Sequence, residues 1–146
     1  MKRILITGGF GIFGTSLSNL LYKKKYKIFL LDRSKKKRKI SQIDFGSKIK
    51  RIKGDFKNLN QLMNIIKKNK INTIIHLGAS TQVIDSYKNP YDTFQTNIIG
   101  TINILEAVRI INKNINILFS STVKAYGKMV KKSYKETDPL HGDLPD

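Results

Sequence analysis

The chain contains no cysteine. Disulfides and thiolate metal sites are thereby excluded, and the absence fits a reducing compartment. Histidine is scarce too, with only His76 and His141. His76 sits in an apolar run and His141 in the polar C-terminal part. No metal site and no histidine catalyst are expected; His76 reads as a packed, hydrogen-bonded strand residue. No apolar run approaches the ~20 residues that span a bilayer, and Met1-Lys-Arg3 leads into an apolar segment without a signal-peptide pattern. A cytoplasmic protein with no membrane partner is expected. Acidic residues number 10 against 28 Lys and Arg, giving a formal charge of +18. Such a balance can mark a nucleic-acid partner. Here the lysines scatter over helix faces and loops, and Lys, Ile and Asn are abundant together, as in AT-rich coding. Even the densest run, Lys35–Lys39, falls in an expected loop. Nucleic acid is therefore not the expected main partner. A positive field that attracts anionic nucleotides needs no dedicated site.

What is present is a regular alternation of elements. The patterning predicts strands near Arg3–Thr7, Lys27–Leu31, Ile49–Lys53, Asn72–Leu77 and Asn114–Phe119. Helices are predicted near Ile12–Lys24, Leu59–Asn69 and Pro90–Asn112, with a short turn of helix around Ser41–Phe45. The strands are short and mostly apolar on both sides, as parallel strands covered by helices should be. Gly100 in mid-helix costs about 1 kcal/mol relative to Ala, which points to close packing there. Residues 120–146 form an irregular, polar tail. Neither repeats nor linkers are evident, and 146 residues make one domain.

Between the first strand and first helix lies Thr7-Gly-Gly-Phe-Gly-Ile-Phe-Gly14. The second strand closes on Asp32. Strand, glycine turn, helix, strand, acid is the dinucleotide-binding fingerprint in its confirming context. Gly8, Gly11 and Gly14 let the chain turn tightly and let a pyrophosphate approach the first helical turn, where Ile12 and Phe13 carry unpaired N–H groups. Asp32 lies where a carboxylate would accept from the adenosine ribose hydroxyls, favouring NAD. Arg33 would suit a 2′-phosphate, so NADP stays open. Asp32 also reads as a strand-end turn carboxylate. After the fourth strand, Gly78 and Ala79 are small where open α/β sheets bind ligands. The expected fold is α/β: a Rossmann-like, doubly wound parallel sheet of five strands in the order 3-2-1-4-5.

The chain resembles the N-terminal part of the extended short-chain dehydrogenase/reductases, the NAD-dependent nucleotide-sugar epimerases and dehydratases. The glycine turn is similar to that family's T-G-G-x-G-F-I-G. Gly54-Asp55-Phe56 resembles its G-D-[IVL], and Ile75-His76-Leu77-Gly78-Ala79 its V-I-H-L-A-A. Thr96-Asn97-Ile-Ile-Gly100-Thr101-Ile-Asn103-Ile-Leu105-Glu106-Ala107 matches T-N-V-x-G-T-x-N-L-L-E-A, and Ser120-Ser121-Thr122-Val-Lys-Ala-Tyr126-Gly127 matches S-S-x-x-V-Y-G. The resemblance implies NAD as cofactor and a nucleotide sugar as substrate. It places Asp55 at the adenine edge, and Phe56, Leu77, Gly78, Ala79, Thr96 and Ser120 along the cofactor. Thr122 takes the place of the catalytic hydroxyl; the bland reading is a polar strand-end turn. Val83-Ile-Asp-Ser86-Tyr87-Lys-Asn-Pro90 leans towards the 4,6-dehydratases. The tail Tyr134-Lys-Glu136-Thr-Asp-Pro139-Leu140 resembles the Y-x-E-x-x-P-L of the CDP-glucose branch.

The family's Tyr-x-x-x-Lys pair is missing from the expected place. The expectation is therefore a cofactor-binding half, truncated before the substrate domain and inactive alone. It would need a complementary C-terminal fragment, form a homodimer, or serve as a non-catalytic NAD-binding module. Its fifth strand, with Ile115, Ile117 and Phe119, is expected to lie at an open sheet edge.

Overall fold

The computed structural model describes residues 1–33, 49–127 and 131–141. Five parallel strands form one sheet: β1 (Arg3–Thr7), β2 (Lys27–Asp32), β3 (Ile49–Lys53), β4 (Thr73–His76) and β5 (Asn116–Phe119). Their order is β3-β2-β1-β4-β5, as expected. The predicted turn at Ser41–Phe45 and the lysine run Lys35–Lys39 lie outside the described residues.

Alternation along each strand divides the core in two. Leu5, Phe29, Leu31 and Ile74 point to one face, where they pack with α2 (Leu59–Lys68) and α5 (Gly100–Ile111) through Leu62, Ile66, Ile104 and Ala107. Ile4, Ile6, Ile28, Leu30 and Ile75 point to the other, where Leu17 and Leu21 of α1 (Ile12–Lys23) cover them. Each such Leu or Ile contributes about 1.5–3 kcal/mol when withdrawn from water. α2 starts at Asn58, whose side chain accepts from the Gln61 N–H at 2.9 Å. It ends with Lys67 and Lys68 beside the negative end of its dipole.

The segment after β4 departs from the expected single helix. A short α3 (Val83–Lys88) comes first, with none of its residues buried, so no apolar stripe announces it. Then α4 (Pro90–Phe94) runs through a π-helical turn, Gln95–Ile99, into α5. Such turns insert one residue per turn and often mark functional sites. Gly100 follows the turn and does pack closely: a Cβ there would lie 2.6 Å from Phe56 Cδ2.

The fifth strand is shorter than expected, and Ile115 precedes it as a buried core residue rather than an edge one. β5 does form one edge of the sheet, with Leu118 60% and Phe119 52% exposed. The tail begins with a 3-10 turn, Val123–Tyr126, which its composition did not announce.

Candidate functional site

The order of the strands reverses between β1 and β4, and ligands of open α/β sheets bind in the crevice at such a switch point. Here the two chain segments that leave those strands nearly touch. Gly8 has φ of +64°, a left-handed conformation that costs a residue with a side chain energy. A Cβ at Gly8 would also meet Gly78 Cα at 2.8 Å. A Cβ at Gly14 would meet the Gly8 carbonyl oxygen at 2.5 Å. Backbone therefore lies against backbone on both sides of the turn, with no side chain between.

The Gly11 N–H donates to the Gly8 carbonyl at 2.9 Å, and Gly11 then serves as the N-cap of α1 without a side chain to offer. The first intrahelical bond runs from the Thr15 N–H to the Gly11 carbonyl at 2.9 Å. The N–H groups of the first turn precede it, and no acidic residue sits in that turn. A helix left this way presents N–H groups and the positive end of its dipole to an anion. Ile12 and Phe13 expose their side chains, Phe13 to 81%.

Asp32 ends β2, half-buried, and its carbonyl accepts from the Gly54 N–H at 3.0 Å. Arg33 follows, exposed. Asp55 Oδ1 accepts from the Lys57 N–H at 2.9 Å, which holds the turn after β3. Phe56 is buried between two glycines: a Cβ on Gly78 would meet its ring at 2.7 Å, and Gly100 closes the other side.

His76 is 3% exposed and hydrogen-bonded through both ring nitrogens, to Thr7 Oγ1 at 2.6 Å and Thr101 Oγ1 at 3.3 Å. Burial pushes its pKa down from 6.5 to about 4. It stays neutral at physiological pH and is the packed strand residue that the sequence suggested. Asn97, in the π-helical turn, grips Ser80 by both backbone groups: its Oδ1 accepts from the N–H at 2.8 Å and its Nδ2 donates to the carbonyl at 3.0 Å. Next to it Thr96 is buried, and its Oγ1 has no hydrogen-bond partner among the described residues.

Residues 5–145 match the family described as GDP-mannose 4,6 dehydratase. The chain belongs to this family. Across 139 residues, 93% of the chain, it is 32% identical to the CDP-paratose 2-epimerase of Salmonella typhi, and spans 41% of that protein. Its fold superimposes on the UDP-Glc/GlcNAc 4-epimerase of Campylobacter jejuni with a TM-score of 0.86 at 29% identity, covering 99% of this chain and 44% of that one. The UDP-glucose 4-epimerase of Bifidobacterium longum, solved with NAD+ and UDP, gives a TM-score of 0.84 at 25% identity, covering 97% of this chain and 43% of that one. The chain therefore spans about two fifths of the length of these family members.

Within this family member, most residues expected along a cofactor leave the same edge of the sheet; Thr96 does not, lying buried in the π-helical turn. Gly8, Asp32, Asp55, Leu77 to Ala79 and Ser120 follow or end the C-terminal ends of β1 to β5. The Leu77 N–H donates to the Thr7 carbonyl at 3.3 Å, and the Ser120 N–H to the His76 carbonyl at 3.2 Å, extending the ladders past the strands. Thr122 is exposed just beyond, and its Oγ1 accepts from the Lys124 N–H at 3.3 Å as the cap of the 3-10 turn. Sequence reasoning missed the pairing of Thr7 and Thr101 with His76. Each threonine lies inside a motif it had singled out for its glycines, and only the register of β1 against β4 brings Thr7 opposite His76.

Proposed function

We propose that the chain is the NAD-binding half of a nucleotide-sugar 4,6-dehydratase or 4-epimerase, in which oxidation begins at sugar C4. The observation that carries this reading is the approach of Gly8 to Gly78 beside the uncapped N-terminus of α1. That cradle has the shape and polarity a pyrophosphate needs. NAD, when bound, supplies the hydride acceptor. The first-turn N–H groups of α1 would hold the pyrophosphate, and Asp32 would accept from the adenosine ribose hydroxyls. Asp55 would meet the adenine edge, while Phe56 supports the floor. Thr122 keeps its hydroxyl hydrogen free to donate to a sugar oxygen while its lone pair caps the turn. The family's proton-transfer Tyr and Lys are absent from the expected place, so we propose that turnover needs them from polypeptide outside these 146 residues, on the same chain or on a partner fragment. Binding without turnover is also what a non-catalytic NAD-binding module would show. A cytoplasmic location suits either reading.

The test is Gly11→Asp. A Cβ at Gly11 would meet the Gly8 oxygen tightly, at 3.2 Å, so that oxygen must yield by a few tenths of an ångström, while the extended N-cap backbone suits Asp as a cap. It also puts a carboxylate where the pyrophosphate would lie. The variant should fold and lose NADH affinity by at least about tenfold, because its carboxylate sets like charges against each other beside the pyrophosphate. Unchanged NADH affinity in a folded Gly11→Asp chain would refute the site.

A further inference from the structure

The polar groups around His76 form one continuous chain, and counting donors fixes its direction. Thr101 Oγ1 donates to the Asn97 carbonyl at 2.6 Å, so only its lone pairs remain for His76 Nε2 at 3.3 Å. Nε2 must therefore carry the hydrogen. At the other end Thr7 Oγ1 accepts from the Gly78 N–H at 3.2 Å and lies 2.6 Å from His76 Nδ1. Its hydrogen then goes to Nδ1, which must be bare. The Thr101 end fixes this neutral tautomer, and the Thr7 end agrees with it. A hydrogen on Nδ1 would leave the Thr7 hydroxyl with two donors facing it and no acceptor in the chain.

The chain does more than fill the core. It starts at the Gly78 N–H, and it reaches the π-helical turn at Asn97, whose side chain grips both backbone groups of Ser80. The loop that faces the glycine turn is thus held at both ends. Thr7, from which the chain crosses β1, immediately precedes Gly8. The ring is flanked on both sides, by Phe56 edge-on at 5.0 Å and by Phe119 stacked at 5.7 Å. The side chains that face it are Thr7 from β1, Phe56 from the turn after β3, Thr101 from α5 and Phe119 from β5. None of the four is titratable.

We propose that neutral His76, with its hydrogen on Nε2, is a positioning residue that sets the backbone of Gly78–Ser80 for a bound dinucleotide. The ligand named rests on the NAD reading above; the positioning does not. A leucine in its place would fill the space but break the chain at both threonines.

Ring-nitrogen NMR on the 146-residue protein reads the tautomer. The expected spectrum shows Nε2–H and no titration between pH 8 and 5. Amide exchange and NADH titration then compare His76→Leu with His76→Asn, whose side-chain oxygen can stand in for Nδ1. His76→Leu should speed exchange at Gly78 and weaken NADH by about tenfold each, the worth of one lost hydrogen bond. His76→Asn should recover most of both. Should His76→Leu fail to fold, Thr101→Val breaks the chain at Nε2 with little change in volume and leaves the Gly78 acceptor in place; it should speed Gly78 exchange, while Thr101→Ser should not. An Nδ1–H tautomer, titration near pH 6.5, or unaltered Gly78 exchange in His76→Leu and Thr101→Val would overturn the proposal. A wild-type chain that does not bind NADH would refute the dinucleotide reading and the ligand named here, and the tautomer and exchange results would then decide the positioning by themselves.

Discussion

Replacing Gly100 by alanine sets two physical effects against each other. On helix propensity alone, the change stabilises by about 1 kcal/mol, because alanine is the best helix former and glycine among the worst. Gly100 lies in regular helical backbone, with φ of −58° and ψ of −42°, so nothing in its own conformation resists. The obstacle is Phe56. The new Cβ would overlap its Cε2 and sit 2.6 Å from its Cδ2, and the ring has little room to retreat, because on the far side its Cε1 already lies within 2.7 Å of where a Cβ on Gly78 would be. Overpacking of a tight core costs about 1–3 kcal/mol, and here it acts on a ring clamped from two sides, so the upper half applies. The net effect should be a loss of about 1–2 kcal/mol, or a fall in melting temperature of several degrees for a domain of this size. Urea denaturation of Gly100→Ala, Phe56→Leu and the double variant would read it. Phe56→Leu opens the clamp, so Gly100→Ala should become neutral or stabilising in that background. A Gly100→Ala protein as stable as the parent, or more so, would refute the packing argument.

The buried His76 makes stability depend on pH. Its pKa is about 4 in the fold and 6.5 when exposed, so between those values the unfolded chain binds more protons. Stability is complete above pH 6.5 and falls as the pH drops towards 4, by up to about 3 kcal/mol; denaturation at stepped pH should show the slope, and His76→Asn should flatten it. Asp32→Asn should weaken NADH by about tenfold through loss of a charge-assisted bond, and should narrow the preference for NADH over NADPH because the charge that repels a 2′-phosphate is gone; equal NADH affinity in the variant would remove Asp32 from the site. Asn58→Ala should cost about 1 kcal/mol by uncapping α2, read as a shift in urea midpoint without a change in slope.

The sheet was legible because its signals are local. Arg3–Thr7 and Ile49–Lys53 coincide with β1 and β3, and the remaining strands differ from their predicted bounds by one or two residues. The strand order followed from the fingerprint's place at the first turn. The glycine turn was legible for the same reason: Gly8, Gly11 and Gly14 have no side chain, and each absence is a statement about space. The π-helical turn was not legible, since Gln95–Ile99 keeps helical composition and only its hydrogen bonds change register. Nor was α3, whose residues bury nothing and so carry no stripe. Ile115 fell inside the predicted fifth strand and so looked like an edge residue, yet the strand begins at Asn116 and Ile115 turns into the core just before it. The Thr7–His76–Thr101 chain joins residues 69 and 25 positions apart, which no local pattern encodes.

The central claim is that a dinucleotide binds where the glycine turn meets the segment after β4. Amide chemical shifts of the isotopically labelled chain, followed through an NADH titration at moderate salt, test it most directly. The account predicts saturable changes confined to Gly8–Gly14, Asp32, Gly78 and Ala79. No saturable change, or changes spread over the exposed lysines Lys67, Lys68 and Lys70 that vanish as salt rises, would contradict it and leave only the unspecific attraction of a +18 chain for an anion.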